Sequence, residues 1–128
     1  MAKKSWQDKY DTRTKPELEV LQRDFGGMKA GQTMLISTPS EVEATIQAIP
    51  RGQQLTMAEL RQRLAEQHGA AGTCPMTASI FTRIVAELSL EKGTDVPFWR
   101  VVEPKSPLAQ KLSCGTYYIR AKRGEEGI

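Results

Sequence analysis

The sequence predicts a mainly α-helical domain: a winged-helix-like three-helix core, a short extended segment after it, and an N-terminal extension before it. Three observations carry that expectation. Capping signatures at Thr38 and Thr56 each open a helical repeat of apolar residues. A wide apolar stripe runs from Ile80 to Leu88. A run of aromatic and β-branched residues, Val96–Val102, then precedes a proline-rich turn. With 128 residues, 39% of them hydrophobic and 26% charged, the chain has the length and composition of one soluble domain with its own core.

Residues 1–37 read as a partly ordered extension and residues 38–128 as the domain. In the extension, Pro16–Arg23 is a short helical candidate carrying Leu18, Val20 and Leu21, and the glycines at 26, 27 and 31 break the chain. Thr33–Ile36 offers an apolar triplet, either as a short strand or as a packed tether. Trp6, Tyr10 and Phe25 are expected to dock parts of the extension onto the domain.

The domain opens at Thr38-Pro39-Ser40-Glu41: a capping Thr, a first-turn Pro, and a Glu three residues after the cap. Val42, Ile46 and Ile49 follow at helical spacing, and Pro50-Arg51-Gly52 ends the helix. Thr56 and Glu59 form a second capping box, whose helix presents Met57, Leu60 and Leu64 on one face and Arg61, Arg63 and Glu66 largely on the other. His68-Gly69 closes it, and 70–72 reads as a loop. A third helix starts near Cys74-Pro75-Met76-Thr77 and buries Ile80, Phe81, Ile84, Val85 and Leu88, ending at Lys92-Gly93. Val96–Val102 reads as extended and Pro104–Pro107 as a turn. The tail from Gly115 is a short helix that Gly124 weakens.

Composition narrows the function classes. The net charge is +3, but residues 38–110 hold seven Lys or Arg against eight Asp or Glu, so the central domain is not a basic block. Both ends are basic and offer non-specific phosphate affinity. Two cysteines and one histidine are too few for a disulfide scaffold or a zinc site, so no metal or other cofactor is expected. No apolar run reaches the length of a membrane span, and the expected setting is a reduced cytoplasm.

The strip Val96-Pro97-Phe98-Trp99-Arg100-Val101-Val102 resembles the active-site strip of the alkylguanine-DNA alkyltransferases, the methylated-DNA–protein cysteine methyltransferase family. There a Pro-Cys-His-Arg sequence is followed by two β-branched residues. Ile49-Pro50-Arg51-Gly52 resembles the opening of that family's C-terminal DNA-binding domain. Thr56 takes the place of a Thr in a Thr-Tyr-Gly segment, and Ser79–Val85 aligns with the recognition helix. Gly115 to Glu126-Gly127 matches the spacing of the family's tail. The resemblance covers roughly residues 38–128 and implies a winged-helix-like DNA-binding domain.

The departures remove the family's reaction. Alkyl transfer needs an activated thiolate. Phe98 replaces the acceptor cysteine and Trp99 its histidine, so Glu126 has no triad to support. Met57 replaces the Tyr that presses on the target phosphate, Ser79 the Arg that fills the stack behind a flipped base, and Thr94 a hinge Asn. A subgroup of alkyltransferase-like proteins also lacks the cysteine yet binds alkylated bases and recruits repair. The expectation is therefore a non-catalytic, alkyltransferase-like binder of double-stranded DNA, with the link to repair that the resemblance implies. The alternative is a scaffold repurposed for a protein or small ligand.

For DNA contact the sequence nominates Ser79, Thr82 and Arg83 facing the duplex, Met57 at the pressing position, and Arg51, Lys122 and Arg123 on phosphates. Phe98, Trp99, Arg100 and Glu126 mark the former active-site pocket. The two aromatics either stack on a base or fill the space left by the lost chemistry, and Arg100 orders the strip. Cys74, at a helix start, is the one residual nucleophile; a small buried structural cysteine is its plainer role. His68 reads as a surface or helix-end residue.

Overall fold

The computed structural model describes residues 4–128. Met1–Lys3, the start of the basic stretch, lie outside them. The architecture is mainly helical with a small sheet. In chain order it runs α1 (Trp6–Thr12), β1 (Glu17–Val20), β2 (Thr33–Ile36), α2 (Pro39–Gln47), α3 (Met57–Gln67), β3 (Gly72–Thr73) and α4 (Pro75–Lys92). A single 3₁₀ turn (Phe98–Arg100), α5 (Pro107–Lys111) and α6 (Gly115–Glu125) complete it.

The capping residues set the helix starts. Thr38 Oγ1 accepts from the Glu41 N–H at 3.1 Å, and Pro39 takes the first turn, where its missing N–H costs nothing. At α3 the box is reciprocal: Glu59 N–H donates to Thr56 Oγ1 at 3.1 Å and Thr56 N–H to Glu59 Oε1 at 3.0 Å. Helix α4 stops at Gly93, whose φ of +69° is a left-handed cap that glycine adopts without strain.

Helix α4 is the wall shared by two cores. Its Phe81, Ile84 and Val85 pack with Val42 and Ile46 of α2 and Leu60 and Leu64 of α3. Ala86, on the adjoining face, joins Phe98, Trp99, Val102, Leu108 and Ile119 in a second cluster. Buried Glu87 of α4 accepts hydrogen bonds from the Ser113 N–H and Oγ, which fixes the approach to α6.

In the sheet, β2 is central: antiparallel to β1, with Leu18 opposite Leu35, and parallel to β3, with Leu35 opposite Thr73. Leu35 is fully buried and ties the sheet to the α2–α3–α4 core. Leu21, Met28, Met34 and Cys74 form a third, smaller cluster. Trp6 and Tyr10 of α1 pack against the main core, and Lys92 at the end of α4 donates to Gln7. Burial and the nearby Glu43 push the Tyr10 phenol pKa up.

Several elements differ from the sequence reading. Pro16–Arg23 is not a helix; its core is β1. Glu17-Leu18-Glu19-Val20 alternates with period two, and β2 supplies the ladder that a four-residue strand needs. All four residues are exposed, and Leu21 alone turns inward. Phe25 stays exposed and bridges Met28, which is buried in its place. Part of the 70–72 loop joins β3. Val96–Val102 is not extended: the N–H of Val101 and that of Val102 both donate to the Phe98 carbonyl, at 3.0 and 2.9 Å. The run has no strand partner, and the turn aims Phe98, Val101 and Val102 inward together. The expected Pro104–Pro107 turn runs only to Ser106, which caps α5, a helix the sequence reading does not include. Among the described residues no helix is long and apolar enough to cross a membrane.

Because Leu35 is both the central register residue and a core residue, Leu35→Ala is expected to destabilise the protein by about 2–5 kcal/mol. A urea unfolding curve reads this as a lower midpoint. An unchanged midpoint would mean that β2 does not seal the core.

Candidate functional site

The strip closes onto the chain's C-terminal segment. Phe98 is 1% exposed, edge-on to Trp99 (centroids 5.5 Å, planes at 70°) and stacked with Tyr118 (6.1 Å, 8°). It fills a core position. Trp99 is also buried, and its indole Nε1 donates to Glu126 Oε2 at 2.7 Å.

Arg100 engages the same carboxylate with a fork. Its Nε donates to Oε1 at 2.8 Å and its Nη2 to Oε2 at 3.0 Å, while Nη1 donates to the Ile49 carbonyl at 2.7 Å. The Gly52 N–H donates to Glu126 Oε1 at 3.0 Å, from a backbone at φ +82° that favours glycine. Glu126 is thus a buried acceptor, 2% exposed at its side chain, holding the α2–α3 turn, the strip and the end of α6 together. Arg100 is the main reason its carboxyl is held down to about 2; burial opposes that, and the Gly52 and Trp99 donors add to it. Ionised and fully engaged, this carboxylate is not free to act as a base.

The nominated DNA contacts do not stay together. Thr82 is fully buried and donates to the Ala78 carbonyl at 2.8 Å, which corrects its expected place on the duplex face. Its hydroxyl satisfies itself within the helix, so the residue enters the core at little polar cost. Arg123 is likewise corrected from a phosphate contact: it is buried, donates to the Trp99 carbonyl at 2.7 Å, and also bonds Gln54. Arg83 is half-buried, its guanidinium 5.5 Å from the centroid of the Trp6 ring on α1. Ser79 is half-buried on the same helix, and Met57 lies between the two main cores.

Arg51 and Lys122 keep solvent access. Arg51 Nη2 reaches the Glu125 carbonyl at 3.0 Å, and Lys122 lies over the rings of Trp99 (5.4 Å) and Tyr118 (5.6 Å). Both line a polar cleft of about 460 Å³ beside the brace, with Gln47, Asp95, Trp99 and Glu125. Sequence reasoning missed Gln54 and the Ile49 carbonyl, the supports for Arg123 and Arg100; no local pattern marks partners so distant in the chain.

The remaining reactive groups sit in structural settings. Cys74 is buried among Leu21, Met28 and Met34. Burial, and secondarily Glu87, push the Cys114 thiol pKa up, away from a reactive thiolate. His68 Nε2 lies 2.6 Å from Glu41 Oε2, joining the end of α3 to the start of α2. Among the described residues no group of three or more His, Cys, Asp or Glu is placed to hold a metal ion.

The depressed Glu126 carboxyl stabilises the fold above the usual carboxylate range, and that contribution is lost as pH falls towards about 2. It is expected to be on the order of 3 kcal/mol. Urea midpoints should therefore fall between about pH 4.5 and 2, and Glu126→Gln should be less stable at neutral pH and flatter over that window. A variant with the wild-type pH profile would show that the brace contributes nothing. Cys74 is expected to react with iodoacetamide more slowly than a free thiol at neutral pH; faster labelling would restore it as a nucleophile.

No protein-family model, no curated protein and no solved structure matches this chain.

Proposed function

We propose that the protein is a non-catalytic DNA-binding protein on a winged-helix-like domain of the alkyltransferase C-terminal type. The observation that carries this reading is the fate of the strip. Pro97, Arg100, Val101 and Val102 shape a turn braced by Glu126, while Phe98 and Trp99 are packed and bonded where a nucleophile and base would be needed. What persists presents helices; what is missing performs transfer. Arg51 and Lys122 flank the cleft as phosphate contacts, and Ser79 lies on α4. The setting is one of DNA recognition, with a link to repair through the family resemblance.

A second reading is a scaffold that has exchanged DNA for a protein or small ligand. It is favoured by the burial of Thr82 and Arg123 and by α1 lying against Arg83.

Titrating labelled duplex, with and without an alkylated guanine, across salt concentrations separates the two. The first reading expects binding at low salt that weakens as salt rises, with a slope that counts phosphate contacts. Arg51→Glu and Lys122→Glu should each weaken it. The intact protein mass should not change on incubation with alkylated DNA. Failure to bind either duplex at low salt selects the second reading, and a mass gain equal to the alkyl group would overturn the non-catalytic assignment.

A further inference from the structure

A second cleft, of about 360 Å³, lies between α1 and α4, away from the Glu126 brace. Four of its lining residues are cations: Lys4, Lys9, Arg13 and Arg83. None is a carboxylate. The acids of α1 are committed elsewhere: Asp8 accepts from the Ser5 N–H, and Asp11 from Gln7. Among the described residues Arg13 alone of the four has an ion-pair partner, Glu17 at 3.0 Å. The cleft therefore carries a concentrated positive charge on a molecule whose overall net charge is small.

Its walls also have an apolar side. Trp6 lines it, with the Lys9 ammonium 4.3 Å and the Arg83 guanidinium 5.5 Å from its ring centroid. Ile80 is 54% exposed beside it. Arg83 Nε is buried and has no hydrogen-bond partner among the described residues. A buried donor of this kind calls for an acceptor.

We propose that this cleft binds the 5′-phosphate end of a nucleotide. A phosphate monoester brings a double charge and several acceptor oxygens, which matches clustered Lys and Arg donors better than a single carboxylate does. Exposed Ile80 and the part of the half-buried Trp6 side chain that lines the cleft give apolar surface to the base and sugar. The same chemistry comes from a free mononucleotide or from the phosphorylated end of a strand. The site stands apart from the duplex reading, since a free nucleotide satisfies it.

Isothermal titration of the full chain with AMP, GMP, adenosine and inorganic phosphate tests it, alongside a short single strand with and without a 5′-phosphate. The mononucleotides are expected to bind at least about tenfold more tightly than adenosine or phosphate. Preference for the phosphorylated strand over mononucleotide identifies a strand end as the source; the reverse identifies a free nucleotide. Lys4→Gln with Lys9→Gln, both on exposed side chains, should weaken binding about tenfold without changing the thermal unfolding curve. Arg83→Gln should weaken it as well. Equal affinity of the mononucleotides with phosphate or with adenosine, or no binding of any probe, would overturn the proposal. Nucleotide binding without duplex binding would leave this site standing and remove the duplex reading.

Discussion

The ion pair between Glu126 and Arg100 is the constraint on which the C-terminal half of the molecule depends. A carboxylate this deeply buried is tolerated only when its charge and lone pairs are matched. Arg100 matches the charge, and Gly52 and Trp99 occupy the remaining oxygen positions. Because the donors come from two separate places in the chain, Gly52 and the adjacent pair Trp99 and Arg100, satisfying one acceptor at the end of α6 fixes the α2–α3 turn, the 3₁₀ turn and α6 at once. Arg123 repeats the device from the other side by holding the Trp99 carbonyl. Phe98 then has one place to go, between Trp99 and Tyr118.

The N-terminal segment imposes a second constraint. Helix α1 has no fully buried residue of its own, yet Trp6 and Tyr10 lean on the main core and Trp6 meets Arg83. The segment therefore changes the chemistry of α4's surface: an arginine that would stand free on a helix becomes part of a cationic, aromatic wall. The two clefts differ in charge: the one beside the brace mixes acids and bases, and the charged residues lining the one beside α1 are all bases.

Much of the helical frame is legible in the sequence, because caps and periodicity are local. Thr38, Thr56 and Gly93 mark boundaries through bonds within a few residues of themselves. The misread elements depend on distant partners. Glu17–Val20 is a strand because Thr33–Ile36 pairs with it, and Val96–Val102 folds into a turn because no strand does. The same distinction runs through the site. The ordering role of Arg100 is implied by the family resemblance, and the residue does bond a carbonyl, that of Ile49. Thr82 is expected on the duplex face through the likeness of Ser79–Val85 to a recognition helix, and Arg123 on phosphate as a basic residue of the tail; an internal helix bond and the Trp99 carbonyl hold them in the core instead.

The reach of the Glu126 brace along the chain also sets its entropic cost. Gly52 and Glu126 are 74 residues apart, whereas the caps and stripes of α2, α3 and α4 close over short distances. Joining remote segments carries a loop-closure cost that local helix formation avoids. The brace is thus the long-range closure of the C-terminal half: it fixes the end of α6 against helices whose own caps are local.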